Sequence, residues 1–219
     1  MKCWAILGAT LVAATAAHAQ SAGSVSVSVG VNNIAPKVSS GDLSAPSLPG
    51  TQIDVKDATA AFATVTYMLT DNVAVQTFLG GPYRHDIVGA GSIAGVGKIG
   101  EVRQISPTVM AQYRFFDAKS MFRPYVGLGV TYAYFFKEQG SGTLTALTNP
   151  GGPPTQVDAD NAWGLSPQLG AIVAFNDRWF ADLTVIKTFL KNTTHLSTGQ
   201  SIEAKLNPLT FGLTLGYRF

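Results

Sequence analysis

The chain has 219 residues, with 15 Lys and Arg against 13 Asp and Glu and a formal net charge of +2. That balance carries no basic block of the kind that binds nucleic acid. Charged residues are 13% of the whole, about half the share in an ordinary soluble domain, and the single cysteine, Cys3, excludes an internal disulfide.

At the N-terminus, Lys2 precedes an apolar run from Cys3 to Ala17 and then Ala17-His18-Ala19, a small-residue cleavage pattern. Residues 1–19 are read as a secretory signal peptide. The run is too short, and too closely followed by small and polar residues, for a retained membrane helix. The remaining domain, 20–219, then has no thiolate to offer as nucleophile or metal ligand. It also contains no run of eighteen apolar residues, so no transmembrane helix is predicted.

Eight segments read as strands. In the first, 24–36, Val25, Val27, Val29 and Val31 alternate with Ser24, Ser26, Ser28 and Gly30. A connection holding Pro46, Pro49 and Gly50 leads to 59–69, and the tight turn Thr70-Asp71-Asn72 leads to 73–79. A Gly-rich loop, 80–105, precedes 106–116, and a short turn leads to 123–136. The loop 137–162 carries Asn149-Pro150-Gly151-Gly152-Pro153-Pro154. Segment 163–175 turns at Asn176-Asp177 into 178–190, and a last loop, 191–206, returns to 207–219.

That last segment alternates strictly: Leu209, Phe211, Leu213, Leu215, Tyr217 and Phe219 against Thr210, Gly212, Thr214, Gly216 and Arg218. It has the length of a tilted membrane-crossing strand. Connections alternate long and short, the rhythm of an outer-membrane barrel with short periplasmic turns and long external loops, and an even strand count puts both termini in the periplasm. Tyr67, Tyr113, Phe115, Phe175, Trp179, Tyr217 and Phe219 fall at one depth on the odd-numbered face. A soluble barrel has no reason to gather rings at one end, whereas a lipid–water interface does. The predicted fold is therefore an all-β, eight-stranded antiparallel transmembrane β-barrel.

Five stretches carry a family resemblance: Thr66-Tyr67-Met68-Leu69-Thr70-Asp71-Asn72, Pro82-Tyr83-Arg84-His85, Ser106-Pro107-Thr108-Val109-Met110-Ala111-Gln112-Tyr113, Phe122-Arg123-Pro124-Tyr125-Val126-Gly127-Leu128-Gly129 and Gly216-Tyr217-Arg218-Phe219. In order and spacing they resemble the OmpW family of outer-membrane proteins. The resemblance implies an eight-stranded barrel with an apolar internal channel and a role in passing small hydrophobic molecules across the outer membrane, as in the alkane-uptake relatives of the group.

Eight strands leave an interior that side chains can fill, which excludes a wide water pore. Even-numbered residues are expected to face inward. Near the periplasmic end these include Arg114, Arg178, Asp182 and Arg218, a polar plug. Toward the outer end the expected lining is Phe62, Phe78, Met110, Phe135 and Ile186, which either lines an apolar funnel or only packs the barrel. A funnel closed below needs a sideways exit. Pro107 and Pro167 fall inside predicted strands, where each removes a ladder hydrogen bond; a bulge is the alternative reading of each.

Outer-membrane lipid and lipopolysaccharide are the expected surroundings of a monomeric barrel, and a small hydrophobic solute its cargo. Tyr217 and Phe219 resemble the signal read by the β-barrel assembly machinery. The rival readings are a structural or surface-binding barrel, receptor for phage, bacteriocin or host, and an enzyme. For the latter the mature chain offers His85 beside Asp86, and His195 with Ser197, neither a recognisable triad. No cofactor and no metal are expected.

Overall fold

Period-two alternation produces eight wall strands in the computed structural model, which describes residues 20–219. The expected signal peptide lies outside the described residues. The wall consists of β1 (Val25–Ala35), β2 (Ala58–Met68), β3 (Val73–Gly80), β4 (Thr108–Arg114), β5 (Phe122–Gly140), β6 (Ala162–Ala174), β7 (Trp179–Lys187) and β8 (Leu209–Arg218). Each pairs antiparallel with its neighbours, and β8 returns to β1 with Arg218 opposite Ser26 and Leu209 opposite Ala35. Closure leaves the wall without a free edge.

The outer surface is apolar. Val29, Leu128, Leu169, Leu183 and Leu213 each leave more than half of their surface outside the protein, which is tolerable only against hydrocarbon. The expected lower aromatic girdle is present, with edge-to-face pairs Tyr113–Phe115 at 5.2 Å, Trp179–Tyr217 at 5.1 Å and Tyr217–Phe219 at 5.2 Å between ring centres. A second aromatic patch above it, with Tyr132 and Trp163 at 4.7 Å, was not anticipated.

Even-numbered residues face inward on seven wall strands, but not on β5. There Arg123, Tyr125, Thr131, Ala133 and Phe135 are buried, while Phe122, Val126, Leu128 and Val130 face out. The turn between β4 and β5 sets a register in which even residues of β4 stand opposite odd residues of β5 (Arg114 opposite Tyr125), and the β5–β6 register reverses the parity again (Tyr125 opposite Gly170). Paired residues share a face, so the parity flips for one strand only.

The long connections are not open loops. Residues Tyr83–Gly91 and Lys98–Ile105 form a hairpin that continues β3 and β4 outward, with Thr51–Val55 on one edge and the upper part of β5 on the other. A second sheet joins Val157–Ala159, Lys191–Leu196, Ser201–Lys205 and Ser39–Ser40. A two-turn helix, α1 (Gly142–Thr148), starts on Ser141, whose hydroxyl accepts the Leu144 N–H at 3.2 Å, as an N-cap should. Leu43, Ile93, Ile99, Leu144, Leu196 and Ile202 pack between these parts. All four connections therefore share one apolar core above the membrane.

Candidate solute passage and its floor

Four of the five residues expected to line the interior meet. Phe62, Phe78, Met110 and Ile186, from β2, β3, β4 and β7, form one buried cluster, and the two phenyl rings stack with centres 6.0 Å apart. Phe135 does not join them. It sits higher, with Val102, Ala133 and Leu190, because β5 runs far beyond the bilayer wall.

Three cavities rise from this cluster. The lowest, about 50 Å³, is bordered by Phe62, Phe78, Ile186, Gly80 and Ser106. The middle one, also about 50 Å³, shares Ile34, Gln104, Leu190 and Pro208 with it and adds Phe135 and His85. The uppermost, about 60 Å³, shares Ile53, Ile87, Val157 and Thr194 with the middle one and reaches the apolar core of the external sheets. Each is small, and each shares part of its wall with the next.

Below the cluster the chemistry changes abruptly. Gln112 Nε2 donates to Gln76 Oε1 at 2.5 Å and to Gln168 Oε1 at 3.0 Å, and Gln168 Nε2 donates to Thr184 at 2.9 Å. Gln76 Nε2 reaches Thr64 at 3.3 Å, and Thr64 is bonded to Ser28 at 2.7 Å. This belt ties the interior faces of six strands together.

Beneath the belt lies the charged floor. Arg114 donates to Gln112 Oε1 at 3.2 Å, and Asp182 accepts the Tyr125 hydroxyl at 2.8 Å. Arg218 lies over the Phe180 ring, 4.6 Å from its centre, a favourable site for a cation out of water. Glycines make room for these rings: a Cβ on Gly170 would stand 2.2 Å from Tyr125 Cζ, and one on Gly216 would stand 2.2 Å from Phe180 Cζ.

Arg178 does not belong to the floor. The strand begins one residue later, and Arg178 sits exposed in the turn, its N–H held by Asn176 Oδ1 at 2.9 Å and its guanidinium donating to the Tyr217 hydroxyl at 2.9 Å. In its place the floor contains Arg123, which parity counting assigned to the outside. Its side chain is fully buried and donates to the Asp71 carbonyl at 2.7 Å, the Phe115 and Phe116 carbonyls at 3.1 and 3.2 Å, and Gln20 Oε1 at 3.3 Å. It thereby clamps two turns to Gln20. The local alternation of Val126, Leu128 and Val130 with Gly127, Gly129 and Thr131 was the signal for its inward direction.

The two prolines differ. Pro107 is not inside a strand: with Ser106 it interrupts what would otherwise be one strand running from Lys98 through Arg114. The β3–β4 ladder ends at Phe78 opposite Thr108, and the external hairpin begins at Tyr83 opposite Gln104. Between those two pairs the wall has no cross-strand ladder. Pro167 does lie within β6, and the β6–β7 ladder stops beside it at Gln168 opposite Ile186. There the wall closes again one step up, where the Phe189 N–H donates to the Leu165 carbonyl at 2.8 Å and Ser166 bonds Thr188 at 3.0 Å.

The two histidines among the described residues stand on separate external strands. His195 is exposed, 3.7 Å from Asp160, and Ser197 Oγ accepts the Gln156 N–H at 3.0 Å. His85 is buried.

A closed eight-stranded wall with a lipid-facing apolar surface, an aromatic girdle and a buried polar floor defines an integral outer-membrane β-barrel, with Gln20 and Phe219, the two ends of the described residues, at the girdle end, toward the periplasm. The model of the OmpW family matches residues 21–219, and the chain belongs to that family. It is 32% identical over 221 residues to outer membrane protein W of Vibrio cholerae serotype O1, covering 98% of this chain and 96% of the relative. It is 27% identical over 195 residues to the dibenzothiophene metabolism operon protein PahQ of Pseudomonas aeruginosa, covering 87% and 86%. Among solved structures, the outer membrane protein OprG of Pseudomonas aeruginosa superposes with a TM-score of 0.81 at 25% identity, over 93% of this chain and 99% of OprG.

Proposed function

We propose that the protein passes small apolar solutes from the cell exterior into the hydrocarbon of the outer membrane. Phe62, Phe78, Met110 and Ile186 form the base of the route, Phe135 lines it higher up, and the break beside Pro107 is the lateral exit. The carrying observation is a coincidence of position: Gly80 and Ser106, on either side of the unpaired stretch of wall, both border the lowest cavity. A solute arriving there meets hydrocarbon sideways and a hydrogen-bonded glutamine belt below. The buried arginines beneath would have to be uncovered for it to continue down, which is costly. The name of the PahQ relative, which refers to metabolism of an apolar aromatic compound, agrees with such a cargo. Pro167 serves the exit less well, because the wall rejoins directly above it. This reading makes the barrel a transporter and not an enzyme. It also assigns lipopolysaccharide to the surroundings of the external sheets and Tyr217 and Phe219 to recognition by the assembly machinery.

The test is uptake of n-octane by cells lacking an importer of their own, with assembled barrel matched between variants. Phe78→Asp places a hydrated carboxylate at the base of the route, and Ser106→Phe fills the exit while giving up the bond that Ser106 accepts from Gln104. Both should slow uptake. Parental rates in both would overturn the route and leave the surface-binding receptor as the better account.

A further inference from the structure

His85 has a property that a packing role does not explain. Its ring borders the middle cavity. Nδ1 stands 2.8 Å from the Lys56 carbonyl oxygen, and since a carbonyl only accepts, the hydrogen of the neutral ring is on Nδ1. Nε2 is then a lone-pair acceptor, and it is buried with no hydrogen-bond partner. Burial pushes the imidazole down from its ordinary value, against the opposing pull of the Lys56 carbonyl and Asp57, which keeps the ring in this neutral form.

A run of hydroxyls along the route also ends on an acceptor, although Ser106 and Asn32 beside the lowest cavity keep hydrogens of their own. Thr108 gives its one hydroxyl hydrogen to the Ser106 carbonyl at 3.1 Å. The 2.8 Å contact between Thr108 and Thr131 must therefore be donated by Thr131, the 2.7 Å contact of Thr131 with Ser166 by Ser166, and the 3.0 Å contact of Ser166 with Thr188 by Thr188. Four hydroxyls across β4, β5 and β6 and the end of β7 point one way, and Thr188, which borders the lowest cavity, is left with lone pairs only. In the middle cavity, Thr194 donates to Asn192 Oδ1 at 3.0 Å, and Glu138, which also borders it, can only accept when ionised.

We propose that the route selects apolar solutes that carry one hydrogen-bond donor, a hydroxyl above all, and that His85 Nε2 is the acceptor that receives it. This rests on the solute-passage reading above and names the substrate class within it. A hydrocarbon leaves Nε2 unpaired, and so does a ketone, which brings only another acceptor. An alcohol of the same length pairs it and recovers the cost of a buried unmade bond.

The experiment compares uptake of n-octane, 1-octanol and 2-octanone by importer-deficient cells carrying the full-length protein. His85→Asn keeps an N–H where Nδ1 donates to Lys56 but removes the Nε2 acceptor; His85→Gln keeps an acceptor near Nε2 but loses the Lys56 bond. The octanol-to-octane ratio should fall about fivefold in the Asn variant, the equivalent of one ordinary hydrogen bond. It should be retained in the Gln variant, with the octanone-to-octane ratio unchanged in both. If His85 only anchored the loop, Gln would be the damaging change and all three solutes would suffer together, which would overturn the inference. A parent that takes up octane while the Asn variant keeps the parental ratio overturns it alone; a parent that takes up none of the three overturns the passage reading as well. Without any substitution, the ¹⁵N resonance of His85 Nε2 in the assembled barrel should move on addition of 1-octanol and stay in place with n-octane. An unmoved resonance in saturating octanol also overturns the inference.

Discussion

Leu128→Arg tests the parity reversal of β5, the feature on which the placement of Arg123, Tyr125 and Phe135 depends. Leu128 stands between Ala111 of β4 and Pro167 of β6, with 54% of its surface outside the protein. Counting even residues as interior would put it in the lumen, where an added guanidinium could be hydrated or bonded. Facing lipid near mid-depth, an arginine instead costs about 2–4 kcal/mol, against about 0–1 near either interface. Leu213→Arg is the calibrating variant: it has the opposite parity, the same outward direction, 55% exposure, and Val31 and Leu183 as neighbours. The two should cost the same within about 1 kcal/mol. Urea unfolding of the barrel in lipid vesicles reads this directly, since a loss of ~3 kcal/mol at a slope of ~3 kcal/mol per molar moves the midpoint by ~1 M. A Leu128→Arg midpoint within ~0.2 M of the parent, with Leu213→Arg fully shifted, would put Leu128 inside and refute the register.

Two further outcomes follow from the floor and the terminus. Gly170→Val should displace the Tyr125 ring, break its 2.8 Å bond to Asp182 and destabilise the barrel by about 1–3 kcal/mol in the same assay; a parental midpoint would mean that the ring does not occupy the glycine slot. Deleting Phe219, whose N–H donates to the Val25 carbonyl at 3.0 Å, should leave unassembled protein in the periplasm, and normal heat-modifiable barrel in the outer membrane would remove the C-terminal aromatic as an assembly signal.

The wall was legible in the sequence because lipid imposes a period of two on every strand it touches, and 207–219 obeys it without exception. Girdle residues such as Trp179 and Tyr217 were legible for the same reason. Parity within one strand does not carry through a turn, however, and the seven residues between Arg114 and Phe122 reversed it, hiding Arg123 and Tyr125. Strand ends were blurred where polar residues straddle a boundary, so Arg178 was assigned to a lumen it does not reach. The glycine slots at 170 and 216 depend on cross-strand register, which no single strand displays. In the external hairpin, glycines at 89, 91, 95, 97 and 100 masked the alternation of Tyr83, His85 and Ile87, and a buried histidine was read as an ordinary loop residue.

Solute energetics bear on where the route should end. Moving a hydrocarbon chain into water costs about 0.8 kcal/mol per methylene, so delivering an eight-carbon chain to the periplasm opposes transfer by about 6 kcal/mol, more than four decades in equilibrium constant. Delivery into the bilayer avoids that step entirely. A barrel that handles such cargo has no need for an opening below, and one that kept it would leak water and ions through the same hole. The glutamine belt, Arg123 across the turns and Arg218 over Phe180 fit the proposed division, in which the lower half of the barrel holds the wall shut and the cargo would leave above it. A hydroxyl lowers the cost of emerging into water only partly, and while the solute is inside it must find an acceptor. On the proposed route His85 borders the middle cavity, between the mouth and the break at Pro107, where an alcohol would have left water and not yet reached the bilayer.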